Sequence, residues 1–390
     1  MAYPHEVVAT MRRALLISGL VFAAPLIAAQ SLPVRWPAAV AEFRRHAATD
    51  STVGAALALV QGGQIIAEEY HGFADRSKAV PANRETIWHW GSITKTLTAV
   101  SLMQLVERGR ISLDQPAVDL VPELRRIHNP YGPMSDVTVR MLLSHSSGLQ
   151  AGTWPWSRGE DWEPFEPTEW SQLVAMMPYM RLGFAPGARY SYSNPGIVYL
   201  ARMIEAKSGD PWQGYIHKNI FLPLQLESSY FGNTPWHLAE RRSHNYAVTR
   251  EGVVDRGADF DPGITIPNGG WNASVQDIAG WMGYLAGSSD PARRKLYDTI
   301  LPRSVLERMW QPVVRVDDEE QMGLSFFLRN ADGHRLIGHT GTQANFRSFF
   351  WLDPETGLGI IGVVNTSSDV DGRASTARFN ALMAAARAVL

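Results

Sequence analysis

A serine and a lysine stand three apart in Ser92-Ile93-Thr94-Lys95. On a helix that spacing puts both on one face, with Cβ atoms about 5–6 Å apart. A serine hydroxyl is a weak nucleophile, and an amine whose pKa is lowered by burial can take its proton. Ser92 follows Gly91 at the start of a helical pattern, where backbone N–H groups lack partners within the helix and point at whatever the hydroxyl attacks. The plain alternative is an N-cap serine beside a solvated lysine. Tyr192-Ser193-Asn194 offers a second group, because a phenol among cations can lose its proton and act as a general base. Its plain alternative is a turn built on Asn194-Pro195-Gly196. The third is His339-Thr340-Gly341-Thr342, at the end of a short strand. Its glycine lets a substrate backbone lie close. The hydroxyls of Thr340 and Thr342, with His339 as a further donor, can bond a carboxylate. Lys207-Ser208-Gly209 repeats the basic–hydroxyl–glycine order, but it closes the helical pattern 197–206, where a C′ glycine belongs.

Each motif alone is short enough to recur by chance. Together, in this order, they resemble the penicillin-recognising serine hydrolases: class C β-lactamases, D-alanyl-D-alanine carboxypeptidases, D-aminopeptidases and family VIII esterases. Gly72-Phe73-Ala74-Asp75, the stretch from Leu142 to Leu149 and the stretch from Asn268 to Ser274 also resemble that family's phrasing. The similarity covers about residues 38 to 388. It implies that Ser92 attacks an acyl carbonyl while Lys95 and Tyr192 manage its proton. It further implies an oxyanion hole from the N–H groups of Ser92 and Thr342, and a Tyr192 that serves the leaving group and then the deacylating water. Asn194 would hold Lys95 or a substrate amide, and Asn194, His339, Thr340, Gly341 and Thr342 would bind substrate. No metal or organic cofactor is implied. His339 stands where class C β-lactamases carry lysine, which is closer to the carboxypeptidase branch. That branch has a carboxylate-binding arginine on the preceding strand; here the corresponding stretch offers Phe326 and Phe327 first, then Arg329, with Arg347 on the next strand as a substitute. Amides, esters and β-lactams stay open as substrates, as does a binding module that is acylated without turnover. An intact Tyr192 favours turnover.

The elements that must position these groups are legible from periodicity. Residues 36–48 read as an amphipathic helix, and 53–61 and 64–72 as strands flanking a Gly62-Gly63 hairpin turn. Residues 92–108 read as a helix with one apolar face, stopped by Gly109. From about 110 to 300 the chain reads as mostly helical, with Pro- and Gly-containing loops. After 320 the period becomes that of strands at 323–329, 335–339, 345–353 and 358–365, with turns at Asp332-Gly333 and 354–357. A helix closes the chain from about 372. The expected architecture is α/β (α+β): an antiparallel sheet built from both ends of the chain, flanked by terminal helices, with an inserted mainly helical domain, as in the β-lactamase/transpeptidase class. The sheet domain takes 30–110 and 300–390, the insertion 111–299.

Composition excludes several other classes. There are 36 Lys and Arg against 38 Asp and Glu, a net charge of −2. No basic excess exists to neutralise a phosphate backbone, which argues against nucleic acid as a partner. Cysteine is absent, so cysteine nucleophiles, disulfides and Cys-based zinc sites are excluded. No His pair has metal spacing, and no G-x-S-x-G elbow occurs. Arg12-Arg13, the apolar run 14–24 and the small residues before Gln30 read as a secretory signal peptide over 1–29, with Met11 as an alternative start. The expectation is a periplasmic or secreted protein without a membrane span in its mature form, acting on a small or peptide-like substrate, its oligomeric state open. Ser274-Val275-Gln276-Asp277 reads as a helix start, and His145 and His89 as structural. The aromatic segment 154–170 reads as core or as a wall of the substrate groove.

Overall fold

Strands at both ends of the chain form one antiparallel sheet, whose central strands are apolar and buried on both faces. In the computed structural model, which describes residues 32–149, 167–331 and 333–390, the strands are β1 (Gly54–Gln61), β2 (Gln64–Asp75), β3 (Val80–Pro81), β4 (Val314–Arg315), β5 (Glu320–Met322), β6 (Phe327–Ala331), β7 (His334–Gln343), β8 (Phe346–Leu352) and β9 (Leu358–Val364). Their order is β3-β2-β1-β9-β8-β7-β6-β5-β4. The signal-peptide pattern, most of the aromatic segment and Asp332 lie outside the described residues.

β1 is buried along nearly its whole length, as a central strand covered on both faces must be. Ala55, Leu57 and Leu59 face a cluster with Trp36, Phe43, Phe379 and Leu382 from α1 (Trp36–Thr49) and the closing helix 372–387. Ala56, Ala58 and Val60 face the larger core. Gly62 and Gly63 turn the hairpin at φ 55° and 86°. An added Cβ on Gly63 would fall 2.8 Å from the Cα of Gly283, so that turn also fits a backbone approach.

α2 (Thr94–Glu107) departs from its expected single apolar face. Every residue from Thr94 to Leu105 is buried. In a helix surrounded by protein, polar side chains gain by finding partners, and most of those here do. Thr96 donates to the Ile93 carbonyl at 2.8 Å, Thr98 to Pro267 at 2.6 Å and Gln104 to Ile300 at 2.8 Å. α3 (Asn194–Ser208), α4 (Val275–Ala286) and α5 (Gly372–Arg387) complete the main helices. Gly209 caps α3 at φ 80°, as its helix-stop reading requires. Ser274 caps α4 by accepting from the Asp277 N–H at 3.1 Å.

Two further features depart from the sequence reading. The stretch 111–299 also carries short strands: Trp271–Ser274 pairs with Ile87–His89 and Tyr230–Phe231, and Tyr246–Thr249 pairs with Gly252–Asp255 and Thr366–Ser368. The strand expected at 323–329 is broken, because Ser325 turns to φ 61° between β5 and β6. Residues 33–390 form one compact unit. No helix among the described residues is long and apolar enough to cross a membrane.

Candidate active site

The start of α2 is held by backbone bonds to a neighbouring strand. Trp90 donates its N–H to the Trp271 carbonyl at 2.8 Å and its indole N–H to Ala273 at 2.9 Å. Thr94 donates its hydroxyl to the Gly91 carbonyl at 2.6 Å and accepts from the Trp271 N–H at 3.0 Å. Ser92 is therefore fixed one turn ahead of Lys95 and keeps partial exposure.

Lys95 is fully buried. Its Nζ lies 2.9 Å from Ser92 Oγ and donates to the Asn268 carbonyl at 2.7 Å. Burial, with no carboxylate to offset it, holds the amine well below its usual range, which favours the neutral form. A neutral amine has a lone pair for the serine proton.

Tyr192 sits just before α3, whose N-cap Ser193 accepts from the Gly196 N–H at 3.2 Å. Its phenol hydrogen-bonds the Ser92 side chain, and burial pushes its pKa far up. Lys95 Nζ lies 4.8 Å from the ring centre. Burial favours the protonated phenol of Tyr192 over the tyrosinate. His145 stacks on it at 4.5 Å between ring centres. His145 adopts φ 55° and accepts the Ser193 N–H on Nδ1 at 3.2 Å. It therefore buttresses the tyrosine from a fixed loop.

β7 supplies the third wall. His339 is buried, 6.3 Å from the Tyr192 ring. Its Nδ1 donates to the Thr340 carbonyl at 2.6 Å, and burial pulls its pKa to about 3. A neutral ring whose N–H is taken up by Thr340 leaves only the Nε2 lone pair. His339 is therefore not the carboxylate donor the sequence reading made it. Thr340 and Thr342 also lie on the opposite face of the sheet from His339 and Gly341, by strand alternation.

Two glycines let β7 touch the nucleophile's loop. An added Cβ on Gly341 would fall 1.9 Å from the Trp90 carbonyl, and one on Gly91 would fall 2.9 Å from the Thr342 nitrogen. The β7–β8 hairpin turns through Ala344 and Asn345, with Gln343 opposite Phe346. In such a two-residue hairpin the closing pair is bonded and pairs alternate, so the N–H and C=O groups of Thr340 and Thr342 point away from β8. β6 pairs with β7 only as far as Gly338. The edge from His339 to Gln343 is thus open beside Ser92.

The other site candidates are placed as follows. Asn194 begins α3. Its side-chain oxygen is buried without a partner, and its carbonyl accepts from Asn268 at 3.4 Å. Lys95 is held by Asn268 instead, a backbone atom that no residue-type signal could reveal. Arg329 pairs with Glu319 and Glu320. His89 bonds Asn272 at 2.8 Å and Gln343 at 3.0 Å. A separate trio, Asp75, His244 and Asp255, comes together from three segments, which spacing alone did not show.

The chain matches the Beta-lactamase family over residues 40–385. It is 23% identical over 316 residues to "Protein flp" of Staphylococcus aureus (strain MW2), covering 81% of this chain and 60% of that one; the chain thus spans about 60% of that relative's length. It is 30% identical over 192 residues to "Esterase EstB" of Burkholderia gladioli, 46% of this chain and 47% of that one. Among solved structures, the octameric penicillin-binding protein homologue from Pyrococcus abyssi superposes with a TM-score of 0.72 at 28% identity, covering 85% of this chain and 73% of that one. With that match over nearly its whole length, this chain belongs to the Beta-lactamase family and has the fold of its serine hydrolases.

Proposed function

We propose that this protein is a serine hydrolase that cleaves peptide-like amides or esters through an acyl-enzyme on Ser92. The observation that carries the reading is the 2.9 Å approach of Ser92 Oγ to a fully buried lysine amine without a carboxylate partner. Lys95 takes the hydroxyl proton as Ser92 Oγ bonds the carbonyl carbon. The N–H groups of Ser92 and Thr342 receive the developing oxyanion. Tyr192, bonded to Ser92 and beside Lys95, relays the proton to the departing oxygen or nitrogen. A water then enters, loses its proton by the same route, and releases the acid. The open edge of β7 fits an extended substrate backbone by strand addition, which supports peptide-like acyl groups. The export pattern at 12–29 supports a place of action outside the cytoplasm.

Purified protein assayed with a p-nitrophenyl ester and a chromogenic cephalosporin tests this. Sustained ester hydrolysis, absent in Ser92→Ala, is the expected result. A stoichiometric burst without turnover on both would replace the enzyme by an acylated binding module. Tyr192→Phe should cost about 10²–10⁴ in kcat/KM, the range of a positioned proton-transfer group.

A further inference from the structure

Asp75 ends β2, His244 precedes the strand Tyr246–Thr249, and Asp255 ends the strand Gly252–Asp255. One ligand atom from each lies within 4.8 Å of the other two. None of the three belongs to the Ser92 site.

Asp75 is the fixed point of the trio. Its side chain is 7% exposed. Oδ1 accepts from the Ser77 N–H at 2.9 Å, the Ser77 hydroxyl at 2.7 Å and the Lys78 N–H at 3.2 Å. Among the described residues Oδ2 has no hydrogen-bond donor. It faces His244 Nε2 at 3.5 Å, longer than a good N–H···O bond. Lys78 Nζ lies 3.6 Å away, on a side chain 77% exposed. A carboxylate oxygen shielded in this way is costly unless a cation reaches it.

His244 is aimed at that oxygen. Its backbone N–H donates to the Ala74 carbonyl at 2.9 Å. Its Nδ1 lies 3.1 and 2.9 Å from the two oxygens of Asp255. A carboxylate on one ring nitrogen fixes the ring and presents the other nitrogen as a ligand, the usual support of a metal-bound histidine. Two ligand atoms about 2.1 Å from a tetrahedral zinc stand about 3.4 Å apart, and Nε2 and Oδ2 are 3.5 Å apart. His244 and Asp255 are partly exposed, which leaves water access to the remaining positions. An imidazole among the ligands favours zinc over calcium or magnesium, which take oxygen.

We propose that Asp75, His244 and Asp255 bind a zinc-like divalent cation that braces the fold. The brace is linked to the candidate active site through the next residue. Asn245 donates to the Gly257 carbonyl at 2.8 Å and accepts from Asn345 at 2.8 Å, and Asn345 turns the β7–β8 hairpin that carries Thr342. The cation takes no part in acyl transfer, so the proposal does not rest on Ser92 being the nucleophile.

Calorimetric titration of chelator-dialysed protein with zinc chloride and with calcium chloride tests it. The expected result is one zinc per chain with a Kd of about 10 μM or tighter, and much weaker calcium binding. Saturating zinc should raise the melting temperature by about 3 °C or more. His244→Ala should abolish both effects, and Asp255→Asn should weaken zinc binding by about tenfold or more. Both positions are partly exposed, and the second variant keeps the test decisive if the first misfolds. The chain has 11 histidines, so zinc held elsewhere would ignore these substitutions. No zinc binding by the wild type, an affinity unchanged in either folded variant, or calcium binding as tight as zinc overturns the site. p-Nitrophenyl ester hydrolysis by both variants in metal-free buffer should match the wild type. Failure of the cation site thus leaves the hydrolase standing, and a protein that binds zinc without hydrolysing esters leaves the cation site standing.

Discussion

Lys95 and His244 are both basic side chains drawn into clusters by distant segments, yet their surroundings differ in kind. Lys95 meets a hydroxyl, a phenol and a carbonyl, and is shut from water. His244 stands at the surface between two carboxylates, 2.9 Å from Asp255 and 3.5 Å from Asp75. In the first case desolvation goes unanswered and the charge is given up. In the second, the ring is held by two carboxylates in a partly exposed place, and nothing there isolates it from partners or from water. What fits a basic group for the proposed proton transfer is the absence of a counter-ion in a dry place, a feature of the fold rather than of residue type.

The largest break in that contrast is to remove the amine. Lys95→Met should lower kcat/KM by about 10³–10⁵, while thermal melting rises by about 2–5 °C because a buried amine is replaced by an apolar chain. Loss of rate with loss of stability would mean that Lys95 is structural. The next expected effect concerns the buried rings around the site. His339 titrates at about 3, His89 at about 4, and His145 well below its usual value. Each stays neutral in the fold while the unfolded chain binds a proton below about pH 6.5. Stability from these three is complete above that pH and is lost as the pH falls, by at most about 4 kcal/mol per pH unit together. Urea titrations between pH 7 and 5 should show it; a flat profile would contradict the burial.

A smaller change supplies the missing counter-ion. Asn194→Asp puts a carboxylate on the residue whose carbonyl accepts from Asn268, next to the lysine's own anchor. It should raise the Lys95 pKa, move the acid limb of the pH–rate profile upward, and cost about 10²-fold in kcat/KM at pH 7. An unmoved acid limb would detach Lys95 from the rate. The smallest expected effect is at the surface: His244→Ala should change stability by about 1 kcal/mol or less and leave ester hydrolysis as it was. A large rate loss there would erase the distinction between the two clusters.

The comparison also shows what a sequence can disclose. Ser92, Lys95, Tyr192 and His339 were legible because side-chain types at set spacings leave a signature, and the sheet was legible because two-residue periodicity does. The Asn268 carbonyl was not, since every residue has one. The small sheets were missed because strands of two to four residues carry too few alternations to count. The one-faced reading of α2 failed because its buried threonines and Gln104 bond backbone carbonyls, and a polar letter gives no hint of that. The donor role of His339 failed for a similar reason: the next residue's carbonyl claims its proton. Its ring, like that of His145, is governed by what encloses it.

The near-collision of Gly341 with the Trp90 carbonyl, and of Gly91 with the Thr342 nitrogen, sets a rule for diversification. Two opposing stretches of main chain leave no room there for even a methyl group. Descendants of this protein, or designed variants, must therefore change their preferences through walls that stand back from the contact, such as α5 and β6. The junction itself works as a fixed hinge pin around which selectivity can be remodelled.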